Sequence, residues 1–155
     1  MQTRRSILAM AGAAVTLTAC GTTTITASQL ATDAQLIASG LASAITAIAA
    51  ISSVPAATVT QLQGYLATIK ADAATVAAAS AGTSVVQEIA STVQTVADIA
   101  LPLIPGGSAI VSIVNAAVSL LPTILAAAGV TSAAKTSPIY SPEQARLILR
   151  GAAAK

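Results

Sequence analysis

With 155 residues, 55% hydrophobic and 8% charged, the chain is long enough for one modest domain and too apolar for a solvated disordered polymer. It has no His, Trp or Phe, and its formal charge of +2 vanishes once residues 1–19 are set aside, which leaves Lys70, Lys135, Arg146, Arg150 and Lys155 against Asp33, Asp72, Glu88, Asp98 and Glu143. Nucleic-acid binding through a basic patch interleaved with aromatics is excluded on that balance, and imidazole base catalysis and imidazole metal ligation are excluded by the missing His.

Residues 1–5 form a short positive segment containing Arg4 and Arg5, residues 6–17 are apolar, and small residues follow. This is the layout of a secretory signal peptide, expected over residues 1–19. Leu17-Thr18-Ala19-Cys20 then resembles the lipobox of bacterial lipoproteins: an aliphatic residue, two small residues and the modified cysteine. The resemblance implies a diacylglyceryl group on the Cys20 sulfur, cleavage before it, and a new N-terminus carrying an acyl chain such as palmitate. Two or more such chains anchor a protein stably, since each buried methylene contributes about 0.8 kcal/mol. Gly21 is not the Asp that retains enteric lipoproteins in the inner membrane, so the resemblance implies the outer membrane, facing the periplasm. Thr3-Arg4-Arg5-Ser6-Ile7-Leu8 also resembles the twin-arginine export motif, with Ile7 where that family usually has Phe. The same arginines serve equally as the positive segment of the general secretory route, and both routes stay open.

Residues 20–27 are short, β-branched and uncharged, as a tether would be. A helix is expected to begin near Ser28, because Leu30, Ile37, Leu41, Ile45 and Ile48 fall on one face, and Pro55 stops it. Val59, Leu62, Leu66, Ile69, Ala73, Val76 and Ser80 form the next seam, with Gly82 expected as its C-cap. Val86, Ile89, Val93, Val96, Ala100 and Leu103 form a third, opened by Ser84 and Gln87 as a capping box. Two such helices joined by a short turn pack as an antiparallel hairpin.

Leu101–Ser108 holds two prolines and two glycines, so a loop or kink is expected there. Residues 108–129 follow as the most apolar piece of the chain beyond the signal segment, long enough to cross a bilayer and expected to kink at Pro122. Ser108, Ser112, Asn115, Ser119 and Thr123 form a polar stripe along it. The plainer reading is a buried helix of the bundle, since no basic cluster flanks the segment to fix an orientation in a membrane. Ser141 as N-cap, Pro142 at the first helical position and Gln144 completing a capping box then open a short terminal helix. Arg146, Arg150 and Lys155 on that helix are the candidate contact for an anionic surface, although cations also simply suit a helix C-terminus.

No catalytic chemistry is expected. The single thiol is committed to lipid, and Glu88 and Asp98 stand about 15 Å apart along one helix, too far for a glycosidase pair. Ser132-Ala133-Ala134-Lys135 matches the S-x-x-K of penicillin-binding enzymes, but the single Lys135 would have to serve two motifs. The expectation is therefore an all-α, Ala-rich antiparallel bundle of three to four main helices over residues 28–134, with a linker and short basic helix over 135–155. It binds no metal or cofactor and acts as a lipid-anchored, structural or interactive cell-envelope protein. Its expected partners are the membrane and either another envelope protein or further copies of itself, with no nucleic acid. Two alternatives remain: a membrane-active, holin-like or pore-forming protein that inserts residues 108–129, and an amphipathic coat on lipid surfaces.

Overall fold

A computed structural model describes residues 26–78, 82–130 and 137–155. The first helix, α1 (Ala27–Ala49), starts where Thr26 takes an extended conformation and its hydroxyl accepts from the Gln29 N–H, which satisfies one of the helix's orphan donors. The start therefore lies just ahead of Ser28. Pro55 opens α2 (Ala56–Ala77) after a short turn. Further along come α3 (Thr83–Ala100), a 3₁₀ turn (Leu101–Leu103), α4 (Ala109–Ala127) and α5 (Pro142–Ala153). No strand occurs among the described residues. The chain is a small all-α bundle.

Most of the seams read from periodicity lie in the core, while Leu30, Val59, Leu66 and Leu103 are only half-buried, Leu103 because the chain has by then passed into the 3₁₀ turn. Ile37, Leu41, Ile45 and Ile48 of α1, Leu62, Ile69, Ala73 and Val76 of α2, and Val86, Ile89, Val93, Val96 and Ala100 of α3 are buried. Each fully buried Ile or Leu contributes about 1.5–3 kcal/mol, so the few large side chains rather than the many alanines hold the bundle. Ser80 lies outside the described residues.

Two caps differ from expectation. Gly82 does not close α2, whose last turn ends at Ala78 with its N–H on the Ala74 carbonyl. Instead Gly82 is the extended N-cap of α3, which begins at Thr83 and has no side-chain cap bond. With Thr83 and Ser84 already inside the helix, the Ser84–Gln87 box is not formed, because an N-cap residue must itself lie outside helical geometry. The Ser141–Gln144 box is formed, with the Ser141 hydroxyl accepting from the Gln144 N–H and the Gln144 side chain accepting from the Ser141 N–H.

In the ring of helices, α1 packs on α2, α2 on α3, α3 on α4 and α4 back on α1, while α5 lies over the α1–α4 seam. The core thus takes in α5, through Ala145 and Leu149, and extends beyond residue 134. The reason is that α5 carries its own apolar stripe, which needs cover. The most apolar helix, α4, has a mean hydropathy of 2.1, with 44% of its most apolar window buried inside the bundle. It runs through Pro122 to Ala127. Its end is a Schellman turn: Val130 N–H bonds the Leu125 carbonyl and Gly129 N–H the Ala126 carbonyl. Gly129 there takes φ 73°, which a side chain would disfavour.

Candidate functional site

Three contacts fix the last helix against the first. Arg146 Nε donates to Asp33 Oδ1 at 2.8 Å and its terminal nitrogen to Oδ2 at 2.6 Å, a two-pronged pair. Asp33 is 1% exposed and the Arg146 side chain 17%. The hydrogen bond to Asp33 raises the Arg146 pKa further, against the opposing effect of burial, so the guanidinium stays charged. Further along both helices, Gly40 faces Leu149 so closely that a Cβ there would overlap Leu149 Cδ2. At the far end Ser43 Oγ donates to the Ala152 carbonyl at 2.9 Å, closing one of the last carbonyls that a helix leaves unpaired.

These pairs, 33 with 146, 40 with 149 and 43 with 152, climb together in sequence, so α1 and α5 run parallel. That register separates the three expected basic residues. Arg146 is turned onto Asp33 and half-buried there, because a buried carboxylate needs a partner more than a solvated cation does. Arg150 and Lys155 remain exposed. Asp33 escaped the sequence reading, although its place between Leu30 and Ile37 on the buried seam of α1 was a signal: an acid on an apolar stripe implies a buried base.

Beside the Ser43–Ala152 contact lies an open cleft of about 920 Å³, in the upper part of the ~300–1,000 Å³ typical of small-molecule sites. Ala42 and Ala47 of α1, Ile110 and Ile113 of α4, and Ile148 and Ala152 of α5 form its walls. Of the three hydroxyl side chains on the wall, Ser43, Thr46 and Ser112, two are bonded inside the protein, Ser43 as described and Thr46 Oγ1 to the Ala42 carbonyl at 2.8 Å. Among the described residues Lys155 is the only charged one lining the cleft.

A second polar feature lies between α2 and α3. Asp72 Oδ2 is buried without a hydrogen-bond partner among the described residues. Burial, and then the nearby charge of Glu88, push its pKa up from the ordinary 3.8. In α4, Ser119 is buried and its hydroxyl accepts from the backbone N–H groups of Ile139 and Tyr140, both at 3.2 Å. One member of the polar stripe is therefore a fastener for the linker into α5, and another, Ser108, is the N-cap of α4.

Among the described residues no three of Cys, Asp and Glu approach closely enough to hold a metal ion. Arg4, Arg5, Leu17, Thr18, Ala19 and Cys20, with Ser132 and Lys135, lie outside the described residues. Comparison with protein-family models, curated proteins and solved structures finds no match to this chain.

Proposed function

We propose that this chain is a lipid-anchored cell-envelope protein that acts by binding, its bundle docking another envelope protein or further copies of itself, and that it catalyses no reaction. The observation that carries the reading is the lone thiol, Cys20, closing the Leu17-Thr18-Ala19-Cys20 motif shortly before α1 begins. A body with its own buried core, attached to a hydrocarbon anchor, needs no membrane insertion of its helices to stay at a bilayer. Mass spectrometry of the protein recovered from cells tests it. The wild type is expected to begin at Cys20 with added acyl mass and to sediment with membranes, and Cys20→Ala is expected to lose both. A wild-type protein beginning at Met1 and found in the cytosol would overturn the anchor, and hydrolysis of peptidoglycan or esters by the purified chain would overturn the non-enzymatic role.

The membrane-active reading draws on the hydropathy of α4, the one helix among the described residues long and apolar enough to span a bilayer. Insertion would pull Val114, Leu120, Leu121 and Ile124 out of the core they share with three neighbouring helices. That cost favours the docked bundle. Dye-loaded vesicles separate the two: leakage abolished by Val114→Asp supports insertion, and intact vesicles support the bundle. An amphipathic coat would instead gain much helicity on adding lipid, which a prefolded bundle does not.

A further inference from the structure

We propose that the cleft between α1, the start of α4 and the end of α5 binds a single-chain lipid with a small anionic head, a fatty carboxylate. Apart from Lys155 and the Ser112 hydroxyl the walls are mostly alkyl, and the Ser43 and Thr46 hydroxyls there already have partners within the protein. A polar ligand would therefore find few groups to bond, while an alkyl chain is removed from water on several sides. The lining residues run from Ala42 to Ala50 on α1 and from Ile148 to Lys155 on α5, about 10–12 Å of helix rise on each. The cleft thus extends along the helices far enough to take an alkyl chain lengthwise.

The parallel register of α1 and α5 puts Ala50 and Lys155 at the same end, and the cleft also meets α4 at its first residue, Ala109. The carbonyl ends of α1 and α5 face this mouth. The Lys155 ammonium and the N–H end of α4 oppose them, and among the described residues no acidic side chain lines the cleft. Lys155 makes no ion pair among the described residues. A monoanionic head at the mouth gives it one, with the tail running toward Ala42. The inference is independent of the anchor at Cys20.

Calorimetric titration of the full chain carrying Cys20→Ala with octanoate, decanoate and dodecanoate, each below its micelle range, tests the proposal. Expected is saturable binding of one ligand per chain, tightening about fifteenfold for each pair of added methylenes if both are fully buried. Gly151 lines the cleft, and a Cβ built on it meets nothing within 4 Å. Gly151→Leu should therefore keep the melting temperature while weakening dodecanoate at least tenfold. Lys155→Glu should weaken dodecanoate about two- to fivefold and leave decanol unchanged. Affinity independent of chain length, no saturable binding of dodecanoate by the wild-type cleft, or a dimer in sedimentation that Gly151→Leu dissociates would each overturn the proposal. The last would mean that a second copy fills the cleft.

Discussion

Asp33 and Arg146 stand 113 positions apart and meet through two hydrogen bonds at the α1–α5 seam. They make up the only ion pair among the described residues. The first and last helices of the bundle are thus joined by charge as well as by packing.

Removing either partner should be costly, and unequally so. Arg146→Ala strands a carboxylate that is 1% exposed, for which about 3–5 kcal/mol is expected. Asp33→Ala leaves a guanidinium with an exposed edge that water can reach, so about 2 kcal/mol is expected. Arg146→Lys should recover less than half the loss, since a point charge cannot make the two-pronged contact. Urea unfolding midpoints of the three variants, with the double mutant completing a cycle, check this ordering.

The approach of α5 to α1 depends on Gly40. Gly40→Ala gains about 1 kcal/mol of helix propensity, but the new methyl must displace Leu149, which is fully buried. Overpacking of this kind costs about 1–3 kcal/mol. A net loss of stability is expected, whereas in a Leu149→Ala background, itself destabilised, adding Gly40→Ala should cost nothing further. Thermal melts of the single and double variants decide it.

Ser119 holds the linker into α5 by two accepted hydrogen bonds. Ser119→Ala should cost about 1–2 kcal/mol. Amide exchange should accelerate at Ile139 and Tyr140 while the amides of α2 and α3 keep their protection.

Asp72 gives stability a dependence on pH whose sign is fixed by its raised pKa. Between 3.8 and the higher folded value, the folded chain holds a proton that the unfolded chain has released. Stability therefore falls as pH rises through that window, and above it the cost of the buried charge is present in full. Asp72→Asn should raise the urea midpoint at about pH 7 and flatten its change down to about pH 4. Glu88→Gln should do the same more weakly, since Glu88 is the smaller of the two causes.

How far the fold was legible differs from residue to residue. Ile37, Leu41, Ile89 and Val93 declared their burial through spacing, because a helix advances by a constant angle per residue and an apolar stripe must be covered. Ser141 and Gln144 declared a cap because both groups act within one turn. Ser84 and Gln87 carried the same letters without the cap, since the chain entered the helix two residues too early. Arg146 read as a surface cation, its partner being remote in sequence and visible only as one acid on an apolar seam.

The sequence by itself determined that this protein is helical, where its helices lie, which faces they bury, and that its one thiol sits in a lipoprotein-like motif. Tertiary structure alone decided that α5 runs parallel to α1, that Gly40 meets Leu149, that Asp33 pairs with Arg146, and that a cleft opens beside Lys155. Periodicity and capping are local and follow from the geometry of one turn. The pairing of remote helices depends on which side chains fit one another once all the helices compete for the same core.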